Sequence, residues 1–388
     1  MKKSIVAFAL TLLFIASATA GEVNYYNKSW ADVVAKAKAE HKYIFIDCYT
    51  SWCGWCKIMD AQTMTDSTVY STLNDKFIAV KMDMEHGEGI KLAMKYHISG
   101  YPSFMYFNPS GEYVYQSTGY IVATDFIKEL INAQDKSKQL SAPGYTASID
   151  LDYPEFFKNL FTSDRKKNNP KTEEVTAYLD KQSNLYSEVN WAIIARLKMN
   201  EKYTKFFLNN LHKYDSLYGH TSVSDKVSAI ISGDVSEAAK AKDEKKFRTA
   251  LLLADKYASY LPEDAKTDLG IMFYQQTENW PKLVTEINNM ISKKGYENAD
   301  FINSVSWAIY EKCDDKKSLQ QATEWMKHIN SSNPKYANMD TYAALLYKAG
   351  QPVEAKAVAE KAIELGKKEG ENTEATETLL KKITTNTK

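Results

Sequence analysis

An apolar run over residues 43–49 stops at Thr50-Ser51, and after Trp52 the chain reads Cys53-Gly54-Trp55-Cys56-Lys57. A β-rich run that feeds straight into a helix former places the first cysteine at a helix N-terminus. Unpaired backbone N–H groups at such an end favour a thiolate, the nucleophilic form of the side chain. Cys53 is therefore expected to be the attacking sulfur. Cys56, one helical turn deeper, can reach it, resolve a mixed disulfide and close a Cys53–Cys56 bond. Lys57 adds positive charge nearby, although a helix-surface lysine is the simpler reading. With four cysteines in 388 residues, the chain is no disulfide scaffold, since stapled exported domains are small and cysteine-dense.

At 44% apolar and 25% charged residues the chain can build two or three packed cores. Around the cysteines the pattern alternates. Helix is expected over 31–39, strand over 43–49, helix over 56–64, strand over 77–82 and helix over 89–96. Strands over 103–107 and 112–116 follow, joined by a turn at Asn108-Pro109-Ser110-Gly111, then a closing helix over 124–131. That order predicts an α/β domain at 21–133 with a central mixed sheet flanked by helices. Residues 134–149, containing Ser141-Ala142-Pro143-Gly144, read as a linker, and 150–388 as an all-α domain. Trp307-Ala308, Ala322 and Pro334 have counterparts in Tyr342-Ala343, Ala355 and the region near Lys367. Over about 265–388 this resembles tetratricopeptide repeats, which build concave surfaces for a protein or peptide partner. An irregular helical bundle is the alternative.

Residues 1–20 read as a cleavable signal peptide: Lys2-Lys3, an apolar stretch over 5–16, then Ala18-Thr19-Ala20. No Cys follows the expected cleavage, so a lipid anchor is not implied, and no other stretch approaches a membrane span. A periplasmic or secreted location is expected, an uncleaved anchor being the alternative. Lys plus Arg equals Asp plus Glu at 49 each, so no whole-chain field draws the protein to nucleic acid.

The segment around the cysteines resembles thioredoxins, and more particularly the exported thioredoxin-like domains related to the periplasmic C-terminal domain of transmembrane thiol:disulfide interchange proteins. Asp47, six residues before Cys53, matches the family's buried carboxylate, and Trp52 the tryptophan before the nucleophile. Pro102, in Gly100-Tyr101-Pro102-Ser103, matches the cis-proline, and Gly111 and Gly119 the glycines of the last hairpin. The resemblance implies that Asp47 is catalytic, its pKa raised by burial so that it accepts the proton of Cys56. It further implies that Trp52, Gly54, Trp55, Tyr101 and Pro102 meet the substrate, with the backbone at Tyr101 pairing to an extended segment. A membrane electron donor and protein thiols or disulfides are the implied partners.

Two departures bear on direction. The Gly54-Trp55 dipeptide is neither the Gly-Pro of thioredoxin nor the His-containing pair of strong oxidants, and the lack of an imidazole beside Cys53 favours a reductase. Tyr101 is bulkier than the residue the family often carries. An oxidase or isomerase, or a binding scaffold with a static or sensing cysteine pair, are the alternatives. Cys48 and Cys313 are expected to be buried structural thiols. Met82, Met84 and His86 form a spaced set that Cu(I) could use, but packing is the simpler reading. No histidine pairs with the cysteines at zinc spacing, so no metal and no cofactor are expected.

Overall fold

Aromatic and β-branched residues make Tyr43–Tyr49 (β1) a strand whose interior is buried on both faces, as a central strand between helical layers must be. The computed structural model describes residues 21–98, 100–161 and 169–386, so the expected signal peptide lies outside the described residues. Phe77–Asp83 (β2) pairs parallel to β1, Ser103–Phe107 (β3) antiparallel to its other edge, and Tyr113–Thr118 (β4) antiparallel to β3. The order is therefore β2-β1-β3-β4. Five helices flank the sheet: α1 (Trp30–Glu40), α2 (Gly54–Gln62), α3 (Ser67–Lys76), α4 (Glu88–Lys95) and α5 (Ala123–Gln134). This is the α/β architecture expected.

Side-chain alternation divides the two faces. Phe45, Ala79, Phe104 and Tyr106 point into one core with Met59 of α2, Val69 and Leu73 of α3, and Phe126 and Leu130 of α5. Register places Asp47 and Lys81 on that same face. On the opposite face Trp30 of α1 meets Phe107 edge-on. The helix α3 is absent from the apolar pattern because its sequence is rich in Ser and Thr. Asp66 starts it, accepting from the backbone N–H of Thr68 at 2.9 Å and Val69 at 3.1 Å, a cap typically worth about 1 kcal/mol.

The remaining elements are helical: α6 (Glu155–Lys158), α7 (Thr172–Leu179), α8 (Glu188–Arg196), α9 (Glu201–Asn209), α10 (Leu211–Tyr218), α11 (His220–Lys240), α12 (Glu244–Lys256), α13 (Ala265–Gln276), α14 (Trp280–Lys294), α15 (Ala299–Lys312), α16 (Lys316–Ser332), α17 (Tyr336–Lys348), α18 (Pro352–Glu369) and α19 (Glu374–Asn386). None among the described residues is long and apolar enough to cross a membrane.

The chain divides into two compact units, the first ending at Val223 and the second beginning at Ser224. The first thus runs past the stretch that reads as a linker, which is packed. Leu140 donates its N–H to Val114 of β4 at 2.8 Å, and Gly144 to Leu217 at 2.8 Å. A Cβ at Gly144 would stand 2.5 Å from the Tyr218 ring, so only glycine fits there. The Tyr145 ring meets those of Tyr96, Tyr113 and Tyr218. Beneath it, Lys95 of α4 is 1% exposed in its side chain, ion-paired to Glu188 of α8, and donates to Thr146 O at 2.7 Å and Ser148 O at 2.8 Å. The other Glu188 oxygen accepts from Thr146 N at 3.0 Å and Oγ1 at 2.8 Å. In the second unit α13 packs on α14, α15 on α16, and α17 on α18, with α15 also on α17. Fully buried Ala322, Ala343 and Ala355 allow the close approach.

Candidate active site

The site begins where β1 stops. After Thr50 the chain turns, Cys53 donating its N–H to Thr50 O at 3.1 Å. Cys53 is the extended N-cap of α2, and its Sγ accepts from the Cys56 backbone N–H at 3.0 Å. That donor and the positive end of the helix dipole both favour negative charge on the Cys53 sulfur. A disulfide joins Cys53 to Cys56. Exposure does not separate the two cysteines, each being 4% exposed. The cap does.

Asp47 lies on the sheet face that α2 covers, and burial raises its pKa to about 6 against the opposing charge of Lys81 and with the reinforcing charge of Asp60. Lys81 Nζ stands 3.3 Å from Asp47 Oδ2 and also pairs with Asp60 of α2. Burial works against the Lys81 charge, yet the two carboxylates raise its pKa overall. Tyr25, in the segment ahead of α1, donates its hydroxyl to Asp47 Oδ2 at 3.4 Å. Sequence reasoning singles out Asp47 but not its neighbours Lys81, Asp60 and Tyr25. Lys81 did leave a signal: it is a charge inside the run Phe77–Asp83, and parallel pairing sets it beside Asp47.

Two aromatic pairs stand at the rim. Trp52, 62% exposed, meets Tyr101 edge-on at 6.0 Å and donates its indole N–H to both carboxylate oxygens of Glu85, at 3.1 and 3.0 Å. Trp55, 59% exposed, meets Tyr120 at 5.7 Å, and the Tyr120 hydroxyl donates to Gln62. Gly54 is exposed, with open space where a Cβ would stand. The Tyr101–Pro102 peptide is cis, and Pro102 is buried, its carbonyl accepting from Gly119 N at 2.9 Å. Gly111 and Gly119 both have positive φ. Lys57 is exposed on α2.

The other singled-out residues lie elsewhere. Cys48 is a buried free thiol whose pKa burial pushes well up, and Cys313 is a buried free thiol in the second unit. Met84 is buried, while His86 is on the surface with Nδ1 3.0 Å from Asp83. Among the described residues no group of three or more His, Cys, Asp or Glu side chains could hold a metal ion.

Residues 12–131 match the family model Thioredox_DsbH, described as a protein of unknown function, DUF255. A protein disulfide-isomerase of Zea mays is 27% identical over 123 residues, 31% of this chain and 24% of that protein. A thiol:disulfide interchange protein DsbD of Campylobacter jejuni is 28% identical over 106 residues, 27% of this chain and 18% of that protein. The solution structure of a thioredoxin from Thermus thermophilus is 23% identical and covers 30% of this chain and 90% of its own, with a TM-score of 0.28. The chain thus spans less than a quarter of the length of these two curated relatives.

Proposed function

From an N-terminal domain that is thioredoxin-like and carries a Cys53–Cys56 disulfide at a helix N-terminus, we propose that this chain is a thiol-disulfide oxidoreductase that reduces disulfides of exported proteins. The observation that supports the reading most is Cys53 as the N-cap of α2, disulfide-bonded to Cys56 in its first turn, on a helix that covers the sheet face carrying the buried carboxylate of Asp47. In the reduced enzyme the Cys53 thiolate attacks a substrate disulfide. A Cys53–substrate S–S bond forms, and one substrate sulfur leaves as a thiolate that takes a proton from water. Asp47 then accepts the Cys56 proton, and the Cys56 thiolate attacks Cys53. This forms the Cys53–Cys56 bond and expels the second substrate thiolate, so the substrate gains two electrons and the enzyme loses two. A protein dithiol fed by a membrane electron carrier restores the enzyme, a role that relatives named thiol:disulfide interchange proteins support. Trp52, Gly54, Trp55, Tyr101 and Pro102 form the substrate-facing rim.

The leader-like sequence at 1–20 supports a periplasmic or secreted location. The paired helices from Ala265 onward support a tetratricopeptide-like surface for a protein or peptide partner. The absence of an imidazole beside Cys53 supports reduction over oxidation. Insulin reduction by the full chain, with titration of the cysteine pair against glutathione, tests the proposal. A potential near the thioredoxin value, about −270 mV, is expected. A value near about −180 mV would instead assign the isomerase role that the Zea mays relative's name carries. Loss of all reduction would leave the scaffold reading.

A further inference from the structure

The acid-base group of the site is held from two directions, one of which comes from outside the sheet and its helices. Ahead of α1 the chain runs along the free edge of β2. Tyr26 donates its N–H to Ala79 O at 2.7 Å. Asn24 N–H donates to the Asn74 side chain at 2.8 Å, and Asn74 returns a bond to Glu22 O at 2.9 Å. Asn27 accepts from the Lys81 backbone N–H at 2.9 Å, and Val23 is buried in the main core. An edge covered this way gains backbone partners, and the segment's path sets Tyr25 over the sheet. Its hydroxyl reaches Asp47 Oδ2 at 3.4 Å while the Lys81 ammonium stands 5.7 Å from the centre of its ring. The Asp47 contacts given by the described residues, Tyr25 and Lys81, both fall on Oδ2.

We infer that Tyr25 is a positioning residue for the proton transfer: with Lys81 it occupies Oδ2 of Asp47, fixing the carboxylate plane and leaving Oδ1 to take the Cys56 proton. This rests on the reading of Asp47 as the group that deprotonates Cys56. Two donors on one oxygen lower its basicity relative to the other, and a buried carboxylate held by fixed donors does not have to reorganise when the proton arrives. Tyr25 suits that task because burial and the neighbouring carboxylates Asp47 and Asp60 drive its pKa far up, so it stays a donor at any pH the protein meets. The charged and titratable groups around Asp47 are Lys81 on β2, Asp60 on α2, Tyr25 and Tyr106 on β3, and, from the opposite face of β1, the adjacent thiol of Cys48.

The hydrogen bond from Tyr25 stabilises the ionised carboxylate, so removing it raises the Asp47 pKa. A net contribution at the lower end for a long bond corresponds to a shift of about half a unit. The test is Tyr25→Phe in the full chain, which keeps the ring. The pH dependence of mixed-disulfide resolution is followed by stopped flow, and the Asp47 carboxyl carbon is titrated by NMR, its signal assigned by its absence in Asp47→Asn. The expected result is an inflection and an NMR midpoint both moved upward by about half a unit. Resolution is then about threefold slower below the inflection and unchanged well above it. A Tyr25→Phe protein that loses melting temperature but keeps both midpoints overturns the role of Tyr25, which would then only pack the segment. If Asp47→Asn itself retains the wild-type inflection, the reading of Asp47 fails and the inference falls with it.

Discussion

Replacing Asp47 by asparagine should stabilise the oxidised protein near neutral pH while slowing its chemistry. In the folded protein the carboxyl titrates at about 6, against about 3.9 for an unperturbed aspartate. The folded state therefore holds this proton more tightly than the unfolded chain, and stability falls as pH rises through the window between those values. Above pH 6 the full penalty applies. Two units at 1.36 kcal/mol each give about 3 kcal/mol. Lys81 loses one of its two carboxylate partners on substitution but keeps Asp60, which trims the expected gain to about 2 kcal/mol. For a unit of this size that is a rise in melting temperature of about 4–8 °C at pH 7.5. Asparagine carries no charge at any pH, so the gain should shrink toward zero at pH 4, where both proteins are neutral at this position. Urea denaturation of oxidised wild type and Asp47→Asn at pH 7.5, 5.5 and 4 measures it. A variant destabilised at pH 7.5, or stabilised equally at pH 4 and pH 7.5, would refute the claim that this site holds a desolvated charge.

The asymmetry of the cysteines predicts that Cys56→Ser accumulates mixed disulfides with exported proteins on non-reducing gels, while Cys53→Ser accumulates few. Equal accumulation would remove the assigned roles. Lys95→Met leaves Glu188 a buried charge without its ammonium and should cost about 3–5 kcal/mol in guanidinium denaturation. The double change Lys95→Met with Glu188→Met should recover much of that loss.

What was legible in the sequence was what one stretch of chain decides by itself. The strands at Tyr43–Tyr49 and Ser103–Phe107 end where the apolar runs end, and the β-rich run that feeds into a helix former sets Cys53 at the start of α2. Pro102 and the hairpin glycines were legible through the resemblance, and the structure has a cis peptide at the one and positive φ at the others. Asp47 was legible through the resemblance, its apolar neighbours adding only that it is buried. Its partners were not, because Lys81 meets it only through strand register and Tyr25 only through the path of an irregular segment. The helix α3 was missed for the opposite reason: a cap and two buried side chains hold it, with little intrinsic propensity to announce it.

Lys95 gives the physical reason why helices beyond the expected linker fold with the sheet. A primary ammonium at 1% exposure requires its three hydrogen-bonding positions to be filled from the protein. They are filled by Thr146 O, Ser148 O and Glu188, none of which belongs to the sheet or its five helices. Glu188 in turn spends its second oxygen on Thr146, so strap and helix are bound to one cation and to each other. Burial still lowers the Lys95 pKa despite Glu188, which marks the network as costly if any member leaves. Without the segment beyond residue 138, water alone would have to satisfy the Lys95 ammonium of α4. With the strap and α8 in place that ammonium is satisfied, so α4, which leads into the segment ahead of the Tyr101–Pro102 peptide, is anchored from behind by residues far along the chain. The domain that carries the C-x-x-C motif thus belongs to a larger folding unit than the motif itself indicates.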